Sequence, residues 1–170
     1  MVIENLENIN KEYNLIYADP PWKQSKGGKK KVRSNSSGKD LDYPTCSLDE
    51  IESHLKAVSD NSGGNSILFL WTIDKYLFEA QRIAENLGYK LHARMIWDKV
   101  TGIPAAFTVR YGHEYLLYMY KGKLLPVTKH SKKPEIAYEI IERLYPDTQK
   151  LEMYARNTRA GWDSWGNEVV

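Results

Sequence analysis

Asp19-Pro20-Pro21-Trp22 places a carboxylate, two prolines and an indole directly behind the apolar run Leu15-Ile16-Tyr17-Ala18. Proline lacks an N–H and fixes φ, and it forces the residue before it into an extended conformation. Pro20 and Pro21 therefore make a stiff segment whose carbonyls are not committed to a helix. A carboxylate beside such a carbonyl offers two acceptors, which is what a planar amine with two N–H donors needs in order to be held. The lone pair of such an amine is shared with its ring, so it is a weak nucleophile. Acceptors on both hydrogens favour the pyramidal form and stabilise the positive charge that grows as nitrogen attacks an electrophile. Trp22 supplies a flat surface on which a ring can stack. The two prolines also suit a plain strand-ending turn, so the motif needs support from the rest of the chain.

The elements that must position these residues can be read from the pattern. Residues 14–20 form a β-type run, and a polar, lysine-rich, glycine-containing loop follows from about Lys23 to Asp42. Ser47-Leu48-Asp49-Glu50 has the spacing of a capping box. Leu48, Ile51, Leu55 and Val58 recur at helical spacing, which predicts a helix over 48–59. The continuous apolar run 66–71 suits a strand buried on both faces, and 74–88 reads as an amphipathic helix closing at Gly88. Further strands are expected over 90–99 and 114–122. Lys133-Pro134 opens a helix whose apolar face carries Ala137, Ile140, Ile141 and Leu144. Residues 150–155 read as the last strand, with Trp162 and Trp165 in an irregular polar tail. Strands alternating with helices predict an α/β layered sheet, and ligands of such sheets bind beyond the carboxyl ends of the strands. Asp19 falls at such an end.

Composition sets outer limits. A chain of 170 residues with 42% hydrophobic residues suits one domain around one core. Cys46 is the only cysteine and the four histidines show no metal-ligand spacing with it, so neither a disulfide nor a metal centre is expected. The polar, acidic first residues and the absence of a long apolar stretch lead to the expectation of a cytoplasmic, intracellular protein. A net charge of +2 implies no polyanionic partner by itself. The positive charges cluster, however: Lys26, Lys29, Lys30, Lys31 and Arg33 follow the Asp-Pro-Pro-Trp motif with no acidic residue among them.

Set beside this motif, the remaining blocks make the chain resemble the MT-A70 family of adenine methyltransferases, which act on the 6-amino group of adenine. The blocks are residues 17–22, 43–51, 68–71, 95–99, 113–122, 130–146, 150–156 and 161–169. A downstream Lys-Pro helix, a Glu-x-x-x-Arg strand end and the run Trp165-Gly166-Asn167-Glu168 carry the resemblance beyond the tetrapeptide. The resemblance implies a Rossmann-like methyltransferase fold: a three-layer sandwich with a mixed, mostly parallel sheet and permuted order, the catalytic motif preceding the cofactor-binding one. It implies S-adenosylmethionine as cofactor and catalytic roles for Asp19, Pro20, Pro21 and Trp22. Asp19 and the Pro20 carbonyl would hold the amine, with Trp22 stacked on the base. Ala18, Asp19, Lys133, Glu152, Tyr154, Arg156, Asn157, Thr158, Asn167 and Glu168 would line the cofactor. Arg110 and Glu114 would face the substrate; the chain departs from the family pattern at Tyr111, between them. No Gly-x-Gly-x-x-Gly run is present, consistent with a cofactor whose charged end is an amino acid.

Three functions are consistent with this reading: an active adenine methyltransferase, a catalytically inactive nucleic-acid-binding subunit of a methyltransferase complex, and a methyltransferase for another planar amine. The intact Asp-Pro-Pro-Trp run favours the first. Nucleic acid is the expected partner, because the pairing edge of adenine is reachable only when a base is flipped out or unpaired, and either state needs a grip on the backbone. Lys29, Lys30 and Lys31 would provide that grip. The 6-amino group is the same in DNA and RNA; DNA is taken first as substrate, and a homodimer or a pairing with a related subunit is expected.

Overall fold

The computed structural model describes residues 2–24, 44–99, 112–124 and 137–167. Six strands, β1 (Leu15–Ala18), β2 (Ser66–Thr72), β3 (Lys90–Asp98), β4 (His113–Lys121), β5 (Lys150–Met153) and β6 (Trp162–Trp165), form one sheet in the order β3-β4-β2-β1-β5-β6. Strands β1, β2, β5 and β6 are mutually parallel, and β4 runs antiparallel to both of its neighbours. This is the mixed, mostly parallel sheet of a Rossmann-like α/β fold.

Helices α1 (Leu48–Asp60) and α2 (Leu77–Asn86) cover one face, packing Ile51, Leu55, Ala80 and Ile83 against Ile16, Leu68 and Leu151. Helix α3 (Ala137–Leu144) covers the other, where Ile141 meets Leu15, Phe69 and Tyr118. Each central strand thus feeds two cores with alternate side chains, which explains its continuous apolar sequence. All four residues of β1 are buried. Helix α1 begins at the expected capping box: Glu50 Oε2 accepts the Ser47 backbone N–H at 2.7 Å, and Ser47 Oγ accepts that of Glu50 at 3.3 Å.

Four features differ from the sequence reading. Strand β1 spans Leu15–Ala18 rather than 14–20, because Pro20 cannot donate to a ladder. The second helix opens as a 3-10 turn over Asp74–Tyr76 before becoming α2. Strand β5 ends at Met153, and it is not the last strand. The tail expected to be irregular forms β6, pairing Trp162 with Lys150 and Ser164 with Glu152. Its polar look conceals satisfied chemistry: Asp163 accepts from Lys11 Nζ at 2.6 Å and from Tyr13 Oη at 2.9 Å, so a buried charge is paired. The expected opening of α3 at Lys133-Pro134 and most of the basic loop lie outside the described residues.

Candidate active site

The carboxyl ends of β1, β2 and β5 and the start of β4 meet on one edge of the sheet, and Asp19 stands at the centre of that edge. Its backbone N–H donates to the Met153 carbonyl at 3.4 Å, extending the β1–β5 ladder by one residue before Pro20 ends it. Pro20 then accepts the Trp22 N–H at 2.8 Å, and Pro21 accepts the Cys46 N–H at 3.0 Å. The Pro20 carbonyl is therefore partly engaged, and one lone pair remains for a ligand.

Trp22, expected to stack on the base, is largely enclosed by protein. It is 4% exposed, its indole N–H donates to the Trp71 carbonyl at 3.0 Å, and its ring lies 5.3 Å from that of Tyr76 at 21°. Tyr76 in turn donates its hydroxyl to the Lys23 carbonyl at 2.5 Å. Burial against the core makes Trp22 a fixed wall behind the motif, with one ring face already covered.

Three cavities share Asp19. One lies in front of the Asp-Pro-Pro-Trp turn, between Ile73, Glu114, Arg156 and Asn167. A second, of about 490 Å³, is polar and runs along β5 past Glu152, Tyr154, Arg156, Asn157 and Thr158. The third, of about 430 Å³, has apolar walls from Trp71, Met95, Trp97, Leu116, Tyr138 and Ile140. The structure thus brings Asp19, Pro20, Pro21, Trp22, Glu114, Glu152, Tyr154, Arg156, Asn157, Thr158 and Asn167 around one space. Ala18 does not join them, since its side chain is buried in the α1/α2 core. Lys133, Glu168, Arg110, Lys29, Lys30 and Lys31 lie outside the described residues.

Backbone geometry shapes this edge. Tyr154 has φ 63°, a left-handed conformation rare for a bulky side chain, and it turns the chain out of β5. Its hydroxyl lies 3.0 Å from His54 Nδ1 on α1. A Cβ on Gly166 would fall 2.3 Å from the Ala155 carbonyl oxygen, so only glycine lets the Trp165 carbonyl accept the Ala155 N–H at 3.0 Å and leads Asn167 to the cavity.

Three carboxylates, Asp19, Glu114 and Glu152, form a strip here, faced by the cations of Lys99, Arg156 and Arg159. Although Asp19 faces open space by surface area, protein surrounds it on most sides. Desolvation, with the charges of Glu114 and Glu152 adding and those of Arg156 and Lys99 opposing, pushes its carboxyl up from 3.8 to about 6. Burial also raises Glu152, opposed by the Tyr138 hydroxyl that donates to its Oε1. Glu114 is ion-paired with Lys99. Such a strip favours a ligand that carries or develops positive charge.

Several participants escaped the sequence reading. Tyr138 and Tyr17 line the polar cavity beside Glu152, Lys99 pairs with Glu114, and His54 holds Tyr154 from another element. Tyr17, Lys99 and Tyr138 fall inside the 17–22, 95–99 and 130–146 blocks, but none of them carried a role there, and His54 lies outside every block.

The MT-A70 family model matches residues 13–125 and 121–168. The type II methyltransferase M.MunI of a Mycoplasma species is 30% identical over 94% of this chain and 78% of its own length. The human N(6)-adenine-specific methyltransferase METTL4 is 25% identical over 99% of this chain, and the human N(6)-adenosine-methyltransferase catalytic subunit METTL3 26% over 93%. The chain spans only 40% and 28% of these two. With the Asp-Pro-Pro-Trp turn, the Glu152 strand end and the Gly166-Asn167 run converging on one edge of the sheet, the chain belongs to the MT-A70 family of methyltransferases.

Proposed function

We propose that this protein transfers a methyl group from S-adenosylmethionine to the 6-amino group of adenine in nucleic acid, with DNA ahead of RNA as substrate. The observation that carries this reading is the position of Asp19: one carboxylate, followed by a proline carbonyl, shared between an apolar cavity suited to a flat ring and a polar cavity ending in Glu152. The donor set fits the cofactor. Glu152 is 9% exposed and presents a carboxylate of the kind that accepts from ribose hydroxyls, while the acidic strip suits a sulfonium. Lys133, four residues before α3 in the sequence, and Glu168, next after Asn167, complete this cofactor wall in the reading.

Bound S-adenosylmethionine supplies an electrophilic methyl on positively charged sulfur. Asp19 and the remaining lone pair of the Pro20 carbonyl would accept from the two N–H groups of the amine and so orient it. Positive charge that develops on the attacking nitrogen would be stabilised by the Asp19 carboxylate. The surplus proton leaves through the same carboxylate to water. Trp22, braced by Tyr76 and Trp71, keeps the turn from yielding.

Labelled S-adenosylmethionine incubated with matched single-stranded and duplex DNA and RNA, followed by digestion to nucleosides, tests this directly. Label is expected in 6-methylated adenine nucleoside; label in another nucleoside, or in none, overturns it. Light scattering tests the expected homodimer, which a fully active monomer would exclude.

Ionised Asp19 is the active form in this mechanism, so kcat/KM is expected to fall as pH drops through about 6. Glu114 is the largest neighbouring charge raising that value. Glu114→Gln should therefore move the acid limb to lower pH, and a limb left in place would show that Asp19 is not the group titrating.

Lys29, Lys30 and Lys31 grip the substrate backbone in this reading. Replacing all three by alanine is expected to leave cofactor affinity unchanged and to flatten log affinity against log salt by about 0.7–0.9 for each phosphate no longer neutralised. An unaltered slope and affinity would make the run a bystander.

A further inference from the structure

Trp22 is 4% exposed and Tyr76 covers one face of its ring, so most of the aromatic surface open to a nucleic acid beside Asp19 comes from elsewhere. Strand register supplies a candidate. Met95 faces Leu116 and Trp97 faces Glu114 across the β3–β4 pair, while Trp71 faces Leu116 from β2, which puts Trp71, Trp97 and Glu114 on the α3 side of the sheet. Trp71 is fixed, its indole N–H donating to Tyr17 Oη at 2.7 Å. Trp97 stands edge-on to Trp71 at 5.9 Å and 71°, and it is 52% exposed, the only exposed tryptophan of the five. Asp19 and Trp97 both line the same apolar cavity. The Lys99 ammonium, paired with Glu114, sits 5.6 Å from the Trp97 ring and keeps a cation beside it.

We propose that Trp97 is a stacking platform for the nucleobase adjacent to the target adenine in an unpaired strand. The target's amine is held at Asp19, whereas Trp97 stands half open to solvent on the wall of the same cavity, so a ring lying on Trp97 belongs to the next nucleotide. An unpaired base has a bare π face, and stacking on an exposed tryptophan is tolerant of base identity. This deepens the adenine-methyltransfer reading and rests on it.

The test uses a short single-stranded oligonucleotide with one adenine, as DNA and as RNA, and versions carrying an abasic residue on its 5′ or 3′ side. For the wild type, one abasic version is expected to raise KM roughly tenfold to a hundredfold with kcat little changed. Trp97→Leu, which keeps apolar bulk without a ring, should show that higher KM already on the intact oligonucleotide and no further penalty from the abasic one. Trp97→Phe should restore most of the loss, and all variants should bind cofactor like the wild type. Equal abasic penalties in wild type and Trp97→Leu overturn the platform while leaving the methyltransfer reading intact. A Trp97→Leu protein that loses activity by dissociating in light scattering also overturns it, placing Trp97 at a contact between copies. Failure of the wild type to methylate any of these strands overturns both.

Discussion

Asp19→Ala is expected to lower turnover by roughly 10²–10³-fold or more while leaving most cofactor affinity intact, because its carboxylate acts on charge that develops only during transfer. Calorimetry with S-adenosylmethionine and single-turnover methylation separate the two effects; abolished binding with normal methylation per bound cofactor would remove Asp19 from catalysis. Stability should move the opposite way in Asp19→Asn. The folded-state carboxyl titrates near 6 against an ordinary 3.8, so the folded chain binds this proton more tightly than the unfolded one. Its contribution is most favourable below about 4 and is lost as pH rises through about 6. A neutral amide escapes that loss, so Asp19→Asn should melt above the wild type at pH 7 to 8 and equal it at acid pH. Lower turnover joined to higher melting temperature identifies a group kept for chemistry against the interest of the fold.

Removing the carboxylate at the end of β5 should act on affinity instead. Glu152→Ala and Lys133→Ala are each expected to weaken S-adenosylmethionine binding by about 1.5–3 kcal/mol, the usual worth of a hydrogen bond to a charged group. Glu152 also accepts from Tyr138, so Glu152→Ala leaves a hydroxyl unpaired. Tyr138→Phe serves as the control: it keeps the carboxylate, releases the hydroxyl and should cost less. Wild-type affinity in folded Glu152→Ala and Lys133→Ala would refute both cofactor roles.

What could be read in the sequence followed from how locally each feature is determined. The capping box at Ser47 and Glu50 and the double-sided apolar runs of β1 and β2 need only neighbours along the chain and stand where expected, although β1 ends at Ala18, two residues before the expected Pro20. Strand β6 was missed because Trp162-Asp163-Ser164-Trp165 shows a charge whose partners, Lys11 and Tyr13, lie some 150 residues away. The enclosure of Trp22 was hidden for the same reason: nothing near it in sequence announces that Tyr76 will lie against its ring. The site followed this division. Asp19, Glu152 and Asn167 were named from motif blocks, whereas Lys99 beside Glu114, Tyr138 on Glu152 and His54 on Tyr154 became visible only once separate elements were brought together.

Strand β1 is the shortest path from the core to the chemistry: all four of its residues are buried, with β2 on one side, β5 on the other and a core against each face. Amides so enclosed exchange with deuterium only when the whole molecule opens, whereas those of turns and exposed edges exchange through local fraying. Tyr17 and Ala18 should therefore be among the slowest-exchanging amides, and the exposed outer edge at Ile96 and Trp97 among the fastest within the sheet. The carboxylate proposed to meet the amine is thus anchored to the last part of the molecule to loosen, while the outer edge of the sheet can breathe without displacing it.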